Sequence, residues 1–348
     1  MRQKFSRQIS LLGIIILAIL VFMGGCDHNP RKSYRRHLCS VDADGRHFQR
    51  VIYNNYAVHT EGSFLDGYTH HTHHYMNWVF RGNTPRLLIF YNDAIALADA
   101  DGSNEESVYS LVNDVTRDLN VVFPEPGSNG YFNFGTKLLK IDLATGYEGT
   151  VAQSENYLRY PLCDQQGRYI TTVDGQDRVL IHDLQSGTSE TWTTPTPARR
   201  AYYYPSGDKL IYSNPPYVWI LGRDSATADT LFNSGNNIMV RPVGDGGKFL
   251  ASLPSITDLV LFDLADSTYQ VLGHVNNTHP IDVCRNGRDI FFADDYTIYR
   301  HDLSSGITEP ILTSGAENAN ARRFLSLSSS PDGQAVYFIC ETYDYYND

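Results

Sequence analysis

Four imidazoles stand within five residues at His70-His71-Thr72-His73-His74. In an extended segment His71 and His73 share one face and His70 and His74 the other. Either pair could present two nitrogens to a transition metal, and Asp66 is close enough in sequence to add a carboxylate. A solvated His-rich loop is the plainer reading, and the spacing does not separate the two. A second set is cationic: Arg117, Arg159, Arg199, Arg200, Arg241, Arg322 and Arg323, accompanied by Tyr157 and His279. Brought to one opening, they would form a basic funnel for an anion such as a carboxylate, held by forked, charge-assisted hydrogen bonds. The alternative is that several of these arginines pair with nearby Asp or Glu. No residue is assigned a catalytic role. There is no GxSxG elbow, no P-loop and no dinucleotide fingerprint, and no hydrolase domain follows, which argues against a propeller-type peptidase.

Convergence depends on the elements that carry these residues, and those elements repeat. A turn of the form Asp-Leu-x-Ser/Thr-Gly occurs at Asp142, Asp183 and Asp302, with degenerate copies at Asp224 and Asp263. The steps between them are 41, 41, 39 and 39 residues. Asp99 to Gly102 and Asp42 to Gly45 extend the series to seven. A second turn ending in Gly appears at Gly167, Gly207, Gly246, Gly287 and Gly333, each followed by a β-type run. Gly suits such turns because it tolerates positive φ. A period near 40 residues with four short β-runs per unit describes blades of a propeller. The expected fold is therefore all-β: a seven-bladed β-propeller of four-stranded blades. The chain from Ser33 to Ile52 supplies the outer half of a blade and Phe324 to Cys340 the inner half, so the two ends pair and close the ring. By this phase, the His cluster and the arginines above all precede innermost strands, at one end of the central channel.

The amino terminus reads as an export signal. Arg2, Lys4 and Arg7 precede an apolar run from Ile9 to Met23, and Gly24-Gly25-Cys26 precede a polar stretch. Met23-Gly24-Gly25-Cys26 resembles the bacterial lipobox, with Met where Leu is usual. The resemblance implies lipidation of Cys26, which tethers a folded domain to a membrane face. Expected boundaries are a signal peptide over 1–25, the lipidated Cys and a short tether over 26–32, and a single propeller over 33–348. The location is the bacterial cell envelope, facing the periplasm. Asp27 after the Cys leaves inner versus outer membrane open. The chain carries 39 acidic against 28 basic residues, a balance that disfavours nucleic acid as a partner. Cys163 and Cys284 fall on inner strands of separated blades and are expected to be free and buried. Cys39 and Cys340 share the closing blade, but alignment to blade six sets Cys39 opposite Val336. That disfavours a bridge. No CxxC spacing exists to hold a metal.

Ser330-Pro331-Asp332-Gly333 with Ala335 to Phe338 resembles the TolB-type, or PD40, propeller repeat (WD40-like), and Arg199 to Phe232 looks like a divergent copy. The resemblance implies a propeller and no particular activity. The extra α/β domain and six blades of TolB itself do not appear. His74 to Asp93, with Tyr75, Asn77, Trp78, Phe80 and Leu87 to Phe90, is similar to the first blade of oligogalacturonate lyases. Those are seven-bladed propellers with a manganese site of several His and a Gln, and with Arg groups that hold uronate carboxylates. That resemblance implies a metal-assisted β-elimination. Here no Gln-plus-His grouping follows in the closing blades, so the ligand set does not carry over. The preferred expectation is a lipid-anchored binding or scaffold module for an anionic glycan fragment or an envelope protein partner, with no cofactor assigned. The alternative is a manganese-dependent lyase on acidic (uronate) oligosaccharides, its metal on His70, His71, His73 and His74.

Overall fold

The structure is a computed structural model and describes residues 32–53, 75–81, 84–91, 94–110, 122, 129–143, 145, 148–164, 167–174, 178–204, 208–233, 241–243, 247–252, 258–275, 280–284, 287–314 and 323–345. Seven antiparallel sheets follow one another around a channel. From the channel outward, blade one is Tyr75–Arg81, Thr84–Phe90, Ala94–Ala98 and Glu106–Ser110. Blade three is Arg159–Cys163, Tyr169–Val173, Arg178–Asp183 and Thr188–Thr193. Blade four is Arg200–Tyr203, Lys209–Asn214, Tyr217–Gly222 and Ala228–Asn233. Blade five is Arg241–Val243, Lys248–Ser252, Asp258–Asp263 and Thr268–His274, and blade six is Ile281–Val283, Asp289–Ala293, Thr297–Asp302 and Ile307–Thr313. In blade two, Asn129–Phe134, Lys137–Asp142 and Glu148–Gln153 form the second to fourth places. The reciprocal Val122–Tyr131 bridge marks the innermost place there. Among the described residues there is no helix.

Blade seven closes the ring as its half-blades require. Arg323–Ser329 and Ala335–Tyr345 come from the end of the chain, and Lys32–Asp42 and Gln49–Tyr53 from the beginning. Lys32–Asp42 pairs with Ala335–Tyr345 over all eleven residues. Closure is also visible in the packing. Seven apolar clusters are present, one between each pair of neighbouring blades. Alternation within a strand feeds two clusters at once. Phe291 packs toward blade seven, while Ile290 and Phe292 pack toward blade five. Tyr202 and Tyr203 divide the same way and are both buried, so they are packing residues.

The repeated Asp turn has a clear physical basis. Asp302 accepts hydrogen bonds from the backbone N–H groups of Ser304 and Ser305 and from the Ser304 hydroxyl, and Gly306 N–H returns to the Asp302 carbonyl. These bonds hold the Asp302 carboxyl down to about 2. Asp183 and Gly187 repeat the arrangement. The closing glycines have φ of +71° and +70° at Gly187 and Gly306. In blade five Ser267 takes that place at +58°, a conformation that is costly for any residue with a Cβ. Ser267→Gly is therefore expected to stabilise the fold by roughly 0.5–1 kcal/mol, because relief of αL strain outweighs the added freedom of the unfolded chain. A urea midpoint that falls would contradict this. Blade four departs from the expected phase: its third strand ends at Gly222, which pairs with Lys209 as Asp263 pairs with Lys248. Asp224 thus lies two residues past the repeat position.

The residue before that Asp is His in blades three and six. His182 Nδ1 lies 2.9 Å from Ser189 Oγ, and His301 Nδ1 lies 2.9 Å from Thr308 Oγ1. Burial pushes both imidazoles below their ordinary pKa. A depressed folded pKa means that the unfolded chain binds protons first as pH falls. The stability from these two groups is complete above the unfolded value near 6.5 and declines as pH drops from there toward the folded pKa values. Urea titrations at stepped pH should show that decline, and a His182→Gln/His301→Gln protein should show a flatter profile.

Cys39 lies opposite Phe338, two residues from the expected Val336. That register brings its Sγ to 3.6 Å from Cys340 Sγ, with both residues buried and both thiols free. Cys284 forms no disulfide and is buried as expected, whereas Cys163 forms none but is only half-buried.

Candidate functional site

Propeller topology gives every blade's inner strand the same direction, so the starts of these strands share one rim of the channel. Four of them open on arginine: Arg159 in blade three, Arg200 in blade four, Arg241 in blade five and Arg323 in blade seven. Sequence phase placed all four at this rim, and their strand positions agree. Their surroundings differ, and the differences are chemical.

Arg200 is half-buried, with its guanidinium carbon 5.2 Å from the centre of the Tyr160 ring. Burial and then the charge of Arg241 push the Arg200 pKa down. The charge of Arg241, on the adjacent blade, is thus felt at Arg200. Arg241 reaches across to blade six, where its Nη1 donates to the Ile281 carbonyl at 2.5 Å. Neither guanidinium has a carboxylate partner among the described residues. Like charges held near each other in a partly desolvated place are stabilised by an anion between them.

Arg323 is different. Its Nε lies 3.2 Å from Oε1 of Glu341, a buried carboxylate on the neighbouring strand, and the two residues are in direct register. Its charge is answered inside the blade. Arg159 and Arg199 are exposed, and Tyr157 is 68% exposed beside them. A separate polar cleft between blades two and three, lined by Ser154, Glu155, Asp174 and Arg178 among others, is internally neutralised by the Arg178 ion pairs to Asp174 and Glu155.

Tyr160 was not anticipated from the sequence. Five blades interrupt the register between their third and outer strands, as does the closing pair at Leu38/Cys39. Blade three keeps that outer pair regular and bulges instead on the channel side, between Arg159 and Leu162. Tyr160 sits in the bulge at φ +51°, a rare conformation for a bulky residue. Bulges of this kind re-aim side chains beside functional sites. Here the bulge turns the Tyr160 ring to the Arg200 guanidinium.

His70, His71, His73, His74, Arg117, His279, Arg322 and Cys26 lie outside the described residues. Among the described residues no group of three or more His, Cys, Asp and Glu side chains is arranged to hold a metal ion. Among them, too, no helix is long and apolar enough to cross a membrane.

The fold is a seven-bladed β-propeller in which four inner strands open on arginine. No protein-family model matches the chain. No curated protein matches it either. Among solved structures it is similar to an oligogalacturonate lyase in complex with manganese, with a TM-score of 0.54 and 12% sequence identity. The match covers 73% of this chain and 85% of that one. At that identity the likeness shows a shared propeller fold.

Proposed function

We propose that this chain is a lipid-anchored propeller of the bacterial cell envelope, of the TolB-like repeat type, that binds an anionic glycan fragment at its channel mouth. The observation that carries the reading is Arg200 and Arg241, which open the inner strands of adjacent blades and have no carboxylate partner among the described residues. Arg binds carboxylates through two parallel N–H donors, and Tyr160 and Tyr157 add aromatic faces on which a sugar ring can lie. A protein partner with an acidic segment would use the same charges; a repeating anion would meet more than one of the arginines that open neighbouring inner strands.

A second reading has a specific support. The solved structure similar to this chain is an oligogalacturonate lyase in complex with manganese, and the His70 to His74 cluster stands in sequence immediately before Tyr75–Arg81, the inner strand of blade one. In that reading the arginines would orient a uronate carboxylate, His70 to His74 would hold a metal that supplies Lewis-acid stabilisation beside it when bound, and a base would remove the adjacent proton.

One experiment separates the two. The soluble form starting at Asp27 is incubated with oligogalacturonates and with neutral oligosaccharides of equal length, with and without manganese. Calorimetry reads binding and mass spectrometry reads products. Binding restricted to the acidic series, without new products, is the expected result. Manganese-dependent cleavage that disappears in His71→Ala/His73→Ala would make the chain a lyase. Absence of both would transfer the arginine rim to a protein partner.

A further inference from the structure

We propose that the mouth face of the propeller is its bilayer-facing side, so that ligand reaches the arginine rim from the layer between propeller and membrane. This rests on the lipid anchor at Cys26 proposed above. It adds an orientation that anchoring alone does not require.

The argument begins with strand direction. Lys32–Asp42 is antiparallel to Ala335–Tyr345, which is antiparallel to Arg323–Ser329. Lys32–Asp42 therefore runs parallel to an inner strand and starts on the mouth face. Glu341 pairs with Arg323 on one side and Arg36 on the other, so Arg36 is level with the rim. Lys32 stands four residues beyond it, or about 13 Å at the rise of a β-strand. Lys32 is six residues after Cys26, a tether of at most about 20 Å when fully extended. The eleven-residue strand is itself about 35 Å long. A tether that short, leaving from the mouth end of a strand that long, cannot bring the opposite face to the bilayer. It holds the rim within about 35 Å of the lipid.

The two faces differ in chemistry in the same sense. Each of the seven turns between third and outer strands on the far face carries an aspartate, with Asp44, Asp101, Asp224 and Asp266 exposed, and the exposed Arg46, Arg168, Arg223 and Lys248 on that face pair with Asp44, Asp183, Glu190 and Asp263. On the mouth face the exposed cations Arg159 and Arg199 stand with the exposed tyrosines Tyr157, Tyr217 and Tyr296. Tyrosine suits the lipid–water boundary, and three of the four exposed tyrosines among the described residues stand on the mouth face, with Tyr269 on the far face. Carboxylates on the mouth side are mostly held locally: Arg178 engages Asp174 and Glu155, and Asp294 accepts from the Tyr299 hydroxyl. Glu155 and Asp295 are exposed.

The test uses the full chain extracted from bacterial membranes and reconstituted into vesicles of phosphatidylethanolamine and phosphatidylglycerol. In a Cys163→Ser background a donor dye is attached at Tyr157→Cys on the mouth face or at Gln185→Cys on the far face, and energy transfer to an acceptor lipid is compared. Transfer from position 157 several-fold above that from position 185 is expected. Equal transfer, or the reverse order, overturns the orientation while leaving the anchor standing. Failure to sediment with vesicles, with no acyl mass on the peptide bearing Cys26, removes both anchor and orientation. Glycan binding by the soluble form is untouched by either result.

Discussion

Arg200→Met is expected to weaken oligogalacturonate binding by about 30-fold, or roughly 2 kcal/mol on the scale of a central anchoring side chain, without unfolding the propeller. Methionine keeps the length and flexibility of the side chain and removes the charge. Its effect on stability is the sum of two opposed changes. A half-buried cation next to Arg241, with no carboxylate among the described residues, is costly to keep. The stacking on Tyr160 that is lost is worth about 0.5–2 kcal/mol. Melting temperature should therefore stay level or rise. Arg323→Met is the control from the equivalent position of another blade. It strips the counter-ion from buried Glu341 and should cost about 1–3 kcal/mol of stability, with little change in affinity. Calorimetry and thermal unfolding on both variants read the two signatures. An Arg200→Met protein that binds like the parent would sink the anion-site reading.

The second large effect is in the closing blade. Gly45 ends the Asp turn of blade seven at φ +84°, and a Cβ there would overlap the backbone carbonyl of Ile311 in the outer strand of blade six. Backbone cannot move aside as a flexible side chain does. Gly45→Ala is expected to lose about 3–5 kcal/mol, the αL cost plus an overpacking cost. Gly306 ends the same turn in blade six at φ +70°, where a Cβ would meet nothing. Gly306→Ala should lose only the conformational part, about 1–2 kcal/mol. Equal losses in urea unfolding would mean that the contact between blades seven and six carries no weight.

Both pairs compare one repeat position in two blades. In each pair the sequence is the same at that position and the consequence differs, which marks the limit of reading a repeat. Blade number, strand order, the closing of the ring by its two ends, and the four arginines that open inner strands follow from the chain itself. Short-range hydrogen bonding ties Asp and Gly to a turn wherever they occur, and a fixed period then counts the turns. Asp224 misled by two residues, because another Asp lay inside a turn built on different bonds.

Neighbours across blades were not legible. That Arg200 and Arg241 act on each other, while Arg323 is neutralised, depends on register and on spacing between sheets, neither of which leaves a mark in local spacing. Arg323 with Glu341 could have been found by counting back from the Ser330-Pro331-Asp332-Gly333 turn, except that a register shift between Phe324 and Ser326 displaces the count. The same applies to Cys39 and Cys340, which the sequence set apart and the register brought to 3.6 Å. Tyr160 left no signal at all: its positive φ arises because blade three moves its bulge to the channel side. Sequence period settled what kind of object this is and where its cations begin. Sheet register and packing between blades decided which cations are answered by a carboxylate, because electrostatic partnership is a matter of a few ångströms and a repeat specifies position only to within a residue or two.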